Sequence, residues 1–298
     1  MGLIGQLREA VGKLNPAEVQ ALANRPICLR LRATSEGGYE ELLSWLLPPS
    51  ISEERRRLAA RFLRLEGEVA SGPADLTLVA PGVAAYPGEF VYRPGQQQQV
   101  VTAILDHHPD LEIPLARHFP PFLHEVTDRQ VVRSSLENAA FAVATALPNV
   151  APFLGFGWTP GEFASDTAFL TLNQIRMIFQ LGAASDRQVG YREQKSEIAS
   201  VITGAFGWRA VARTLAGKIP AGGGIIPKAA IAYAGTWVVG KSVERLYRLG
   251  YGFTQNERRA AYQEAFEKGR ALAASLMGRF RSAAPPGQSA SQGRANYA

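Results

Sequence analysis

The side chains best suited to chemistry fall in four places along the chain. All four histidines, His107, His108, His118 and His124, lie within 18 residues, beside Asp106, Asp110, Glu112 and Glu125. Imidazole and carboxylate both ligate zinc. Yet Pro109, Pro114, Pro120 and Pro121 interrupt the run, and no HExxH spacing occurs. A polar connecting loop is the preferred reading, with no metal site and no cofactor. The second place is the turn after the apolar run 27–32. A nucleotide-phosphate loop would read GxxxxGK[ST] there. Ala33-Thr34-Ser35-Glu36-Gly37-Gly38-Tyr39 offers neither the lysine nor the hydroxyl, and Glu36 would repel a phosphate. Val79-Ala80-Pro81-Gly82 likewise lacks the carboxylate that would organise magnesium. Nucleotide hydrolysis is not expected. No local Ser/His/Asp or Cys/His arrangement stands out, and Cys28 reads as a small core residue in a strand. No catalytic residue is assigned.

The third place is a helix in which Glu162, Asp166, Asn173 and Arg176 share one face. That face suits a polar contact surface or a proton-handling pair, but an ordinary solvated face is the simpler expectation. The fourth is a set of cations, Arg209, Arg213, Lys218, Lys228, Lys241, Arg245 and Arg248, with Trp208 and Trp237 among them. Their partner would be anionic.

Composition frames these candidates. The chain has 298 residues, 46% hydrophobic and 19% charged, which is globular. Its net charge of +6 is unevenly spread: residues 1–128 carry 12 basic and 16 acidic residues, and 129–298 carry 20 and 10. The basic half suggests acidic lipid headgroups or nucleic acid as partner, against a plainly basic soluble domain. It lacks a recognisable nucleic-acid-reading module, so no nucleic acid is expected. One cysteine excludes an internal disulfide. The opening MGLIGQLREAVGKL has no apolar stretch of signal-peptide length, and Gln6 stands where myristoylation wants a hydroxyl, so a cytosol-facing chain is expected.

The elements that must position these groups divide in two. N-terminal helices over 1–26 precede a small α/β unit over 27–125, degenerate in its nucleotide-binding loop. Its strands are expected at 27–32, 76–80 and 89–93, its helices at 39–47, 54–66 and through Val100–Leu105. Beyond about 111 strand signals stop. An all-α part over 126–281 is expected, its helices near 129–145, from a Thr159/Glu162 capping box onward, near 192–215, near 229–249, and from a Thr254/Glu257 box to 281. The Ser/Gly/Pro/Ala-rich segment 282–298 reads as disordered. The chain as a whole should be mostly helical.

Two uncharged stretches raise the question of a membrane. Residues 138–161 are long enough to span, but contain Pro148, Pro152 and Pro160. Residues 229–240 are too short to span alone. A buried core hairpin is preferred over interfacial insertion, and that over spanning.

Asp166-Thr167, Leu170-Thr171, Asn173-Gln174-Ile175-Arg176-Met177-Ile178 and Gly182-Ala183-Ala184 resemble the signature helix of a bacterial domain of unknown function. That family includes the YcjF-type inner-membrane proteins and is often fused behind Era-like GTPase domains. Ile219-Pro220, Gly224, Ala232, Gly235-Thr236 and Gly240-Lys241 are similar to its second block. The resemblance covers residues 130–250. It implies a helical module at the cytoplasmic side of the inner membrane, peripheral or re-entrant, linked to a GTPase or other protein partner, and implies no catalytic residues. The expectation is therefore a non-enzymatic membrane-associated module, with a soluble scaffold or small-ligand-binding protein as the alternative.

Overall fold

The structure, a computed structural model, describes residues 14–67, 73–146, 166–202 and 224–283. Its first layer is a four-stranded, all-parallel sheet in the order β2-β1-β3-β4. The strands are β1 (Leu29–Arg32), β2 (Leu63–Leu65), β3 (Leu76–Val79) and β4 (Phe90–Val91). Register follows the leucines: Leu29 faces Leu63 on one side and Leu76 on the other, and Leu31 faces Leu65 and Leu78. Leu29 and Leu31 have no exposed surface, as expected where a parallel strand is covered on both faces. Around the sheet lie α2 (Glu36–Leu46), α3 (Glu53–Ala60) and α4 (Gln97–His107). Ser35 and Ser52 cap the first two by accepting from the amides of Gly38 and Arg55.

The remaining helices are α1 (Pro16–Ala23), α5 (Glu112–His118), α6 (Pro120–Ala144), α7 (Asp166–Ala184), α8 (helical over 195–202), α9 (Ile225–Leu249) and α10 (Gln255–Ala283). The chain is mostly helical with a small α/β part. α7 packs against α1, α5, α6 and α9 and is buried almost all round, from Ile175 through Phe179 and Leu181. Small residues let α9 approach its neighbours. A Cβ added at Gly240 would lie 2.6 Å from a Val131 methyl and 3.0 Å from the Met177 sulfur. Another at Gly269 of α10 would lie 3.0 Å from the Tyr233 Cβ.

Three expectations need correction. The arginine-rich helix does not run through residue 66: it ends at Ala60, and Leu63–Leu65 pairs as strand β2. Two alternating leucines with a free strand edge beside them outweigh a helical pattern carried only by arginines. The histidine stretch is not a loop either. Pro109–Leu111 forms a 3-10 turn, and α5 and α6 follow with only Phe119 between them. Pro120 and Pro121 occupy the first turn of α6, where a missing N–H costs nothing. Cys28 is half-buried just before β1, its amide donating to Asp75 at 2.7 Å.

Residue 126 lies inside α6. Phe119, Phe122 and Val126 belong to the core under the sheet, whereas Ala139, Ala142 and Val143 belong to the core of the bundle. The expected capping box at Thr159, most of the uncharged stretch 138–161 and the tail from 284 lie outside the described residues, as do Trp208, Arg209, Arg213 and Lys218.

Candidate functional site

Asn173, Gln174 and Thr236, three of the residues that carried the family resemblance, meet Asn138 inside the bundle. Asn138 of α6, Asn173 and Gln174 of α7 and Thr236 of α9 form one hydrogen-bonded lattice. The Asn138 amide donates to the Thr236 hydroxyl at 2.7 Å, and the Asn173 amide donates to the Asn138 carbonyl oxygen at 2.9 Å. Asn173 also donates to the Ser134 carbonyl at 3.2 Å, and Gln174 donates to Thr236 at 3.1 Å. The Thr236 hydroxyl passes its own proton to the Ala232 carbonyl at 2.9 Å. Asn138 and Thr236 are fully buried and Asn173 is 7% exposed. Asn173 is therefore not part of a solvated face. Its lattice is amides and a hydroxyl, which carry no titrating proton at neutral pH, so it fixes helix register rather than moving protons. Arg176 is half-buried on the same helix; Glu162 and the Asp166 side chain lie outside the described residues.

One turn beyond Thr236, Lys241 lies against two carboxylates, 2.6 Å from Asp128 and 2.7 Å from Glu244. Thr127 donates to Glu244 at 3.3 Å, and His124 lies 3.2 Å from the same oxygen. Burial pulls the Lys241 pKa down, but the hydrogen bonds it donates to Asp128 and Glu244 outweigh burial and hold the pKa above its ordinary value. This charge is compensated within the protein and latches α9 to α6. Trp237 is half-buried between two apolar clusters, with the Lys268 ammonium 5.8 Å from its ring. The Lys241 side chain keeps 15% of its surface exposed, and Trp237 is exposed only in part.

Other members of the set do lie at the surface. Lys228 is exposed at the opposite end of α9, donating to Thr145 at 3.2 Å. Arg245 and Arg248 sit where α9 turns into α10. Gly250 closes α9 in the left-handed conformation, φ 86°, and Thr254 and Glu257 open α10 with a reciprocal capping box. Arg245 donates to Glu257 at 2.7 Å and lies over the Tyr251 and Phe253 rings at 4.8 and 5.5 Å. That Arg245 hydrogen bond, with those from Thr254, holds the Glu257 carboxyl at about 2. Around this pair Arg248, Arg258 and Arg259 are exposed, together with Leu249 (48%) and Tyr251 (55%). The hairpin end is thus basic with two apolar side chains outward. Arg258 and Arg259 escaped the sequence reading, although their place directly after the capping box was a usable signal.

At the carboxyl edge of the sheet, where parallel α/β folds bind ligands, the chain fills its own space. Arg32, buried at the end of β1, donates to the Ala84 carbonyl at 2.7 Å, ion-pairs with Glu89 and lies 4.6 Å from the Tyr86 ring centre. A Cβ at Gly38 would lie 3.0 Å from Ala33 and 3.2 Å from Ala80. Among the described residues, no three His, Cys, Asp or Glu side chains group as a metal site. The four histidines have other partners: His107 the Ala103 carbonyl and, with His108, the Phe90 ring, His124 the Glu244 carboxylate, and His118 the Phe62 ring.

Among the described residues no helix is long and apolar enough to cross a membrane. Residues 229–240 and the described part of 138–161 are instead packed into the bundle. No protein-family model matches the chain, and no solved structure matches it. The chain is similar to magnetosome membrane protein 22 of Magnetospirillum gryphiswaldense, 32% identical over 128 residues. That match takes in 40% of this chain and 66% of the relative's length, so the chain spans just under two thirds of it.

Proposed function

We propose that the protein is a non-enzymatic helical module that docks peripherally on the cytoplasmic side of an anionic membrane and presents its α/β part to a GTPase or assembly partner. The observation that carries this reading is the α9–α10 hairpin end, where Arg248, Arg258 and Arg259 surround the outward Leu249 and Tyr251. Each cation near an acidic headgroup contributes about 1 kcal/mol, and an aromatic beside them suits the interfacial zone. Similarity to a protein named for a membrane supports the location. The GTPase link rests on the likeness to YcjF-type proteins, whose motif residues here are Asn173, Gln174, Thr236 and Lys241. Absence of catalysis is supported by the lysine-free turn after β1 and by the Arg32–Glu89 closure beside it.

Flotation of the purified chain with neutral and anionic vesicles, at low and high salt, tests the reading. Binding only to anionic vesicles, lost in salt and lost on combined Arg248→Glu and Arg259→Glu substitution, is the expected result. Protein that stays at the bottom in every condition would overturn it. That outcome would favour the alternative, a soluble scaffold, which is supported by the packing of 229–240 into the bundle core.

A further inference from the structure

A separate cleft of about 230 Å³ opens where the α/β and helical parts meet. Arg55 and Arg61 come from α3 and the turn after it, Arg117 and His118 from the end of α5, and Asp186 from the turn after α7. The Phe62 and His118 rings pack together on one wall, 4.2 Å between centroids. Asp186 accepts the approach of two guanidiniums, Arg55 at 3.3 Å and Arg117 at 3.2 Å. The cleft stays net positive. The Arg117 side chain is only 15% exposed, and its Nη1 is buried with no hydrogen-bond partner among the described residues. A buried guanidinium donor left unmet is costly, and an anion reaching it would relieve that cost.

Asp186 is the unusual occupant. It closes α7 in the left-handed region, φ 57°, with its amide donating to the Ala183 carbonyl and that of Arg187 donating to Gly182 at 2.9 Å. Glycine is the usual residue at this position of a Schellman turn. A carboxylate there also faces the negative end of the helix dipole. The left-handed turn accepts aspartate less readily than glycine and the helix dipole disfavours it, so the two arginines are what favour a carboxylate there. Its carboxylate stands where an anion belongs.

We propose that this cleft binds a phosphate monoester or pyrophosphate group, with the Asp186 carboxylate as its resident competitor. The volume lies below the roughly 300–1,000 Å³ of pockets that enclose drug-sized ligands, which fits a small anion or the phosphate end of a larger one. His118 is held neutral by burial and by Arg117, so it can offer a ring N–H without adding charge. The proposal is independent of the hairpin-end membrane reading.

Titration calorimetry of the full chain with inorganic pyrophosphate, in a phosphate-free chloride buffer, tests it. Asp186→Asn suits the left-handed turn and should tighten binding about tenfold, one freed charge-assisted contact; Asp186→Gly should do the same. Arg117→Gln, and the exposed Arg61→Gln should the former fail to fold, should weaken binding severalfold. Vesicles containing phosphatidic acid, a monoester, or phosphatidylglycerol, a diester, separate the sources. If Asp186→Asn strengthens binding to phosphatidic acid alone, the phosphate is a lipid headgroup. If pyrophosphate binding tightens and vesicle binding does not change, it is soluble. No response of any probe to Asp186→Asn would overturn the site. Loss of vesicle binding in the hairpin-end variants leaves the pyrophosphate titration unaffected, so the two readings fail separately.

Discussion

At the residue scale the decisive feature is polar satisfaction inside the bundle. Thr236 both donates and accepts, so Thr236→Val keeps the shape but strands the Asn138 and Gln174 donors. An unmet buried donor costs about 1–3 kcal/mol, and urea unfolding should show a loss in that range. Because Asn138 and Thr236 share one bond, Asn138→Leu combined with Thr236→Val should cost less than the sum of the single changes. Additive losses would show that the lattice does not act as a unit. A second residue-scale expectation concerns acid. Burial, then the charge of Arg117, pushes His118 from 6.5 to about 4. Between those values the unfolded chain binds the proton and the folded chain does not, so stability falls as pH drops from 6.5 toward 4. Above that window His118 contributes no pH dependence. Thermal melts across it should slope less in His118→Gln than in the parent; equal slopes would assign the acid sensitivity elsewhere.

At the scale of elements, close approach sets the geometry of α9. Gly240→Ala gains helix propensity of about 1 kcal/mol but places a Cβ 2.6 Å from Val131. Overpacking of this kind costs about 1–3 kcal/mol, so the net effect should be destabilising. Val131→Ala in the same chain should recover most of the loss. Gly278 of α10 provides the control, since a Cβ there meets nothing within 4 Å. Gly278→Ala should therefore be neutral or stabilising. A Gly240→Ala protein as stable as the parent would mean α9 shifts freely along α6.

These elements also mark where sequence is informative. The cap at Thr254 and the run Leu76–Val79 were legible, because each is decided within a few residues. β2 was not, since Leu63–Leu65 becomes a strand only through β1 beside it. Asn173 looked solvated for a similar reason. Helical spacing tells which residues share a face, but only the partners Asn138 and Ser134, on another helix, show that this face points inward. The Asp186 cleft was invisible, as its charges come from three elements distant in sequence.

At the scale of the molecule, α6 ties the two parts together. Its first turns carry Phe122 and Val126 into the sheet's core, and its last turns carry Ala139 and Val143 into the bundle. Glu112, 3% exposed, is clasped near the middle of α6 by Gln130 at 2.9 Å and by Arg133 at 3.0 Å. A helix shared between two cores cannot melt in one and persist in the other without exposing apolar surface, so the parts should unfold together. Trp45, 5.0 Å from Tyr92 and 6.1 Å from Phe122 by ring centroids, reports on the sheet side; Trp237 reports on the bundle. In chains retaining only one or the other tryptophan, urea midpoints should coincide. The Thr236→Val loss, introduced in the bundle, should then shift the Trp45 transition by the same amount. Two separate midpoints, or a shift seen only at Trp237, would show that α6 is a hinge between independent domains. In that case an anion in the cleft between the parts would act on their relative position, and it should bring the two transitions together as it saturates.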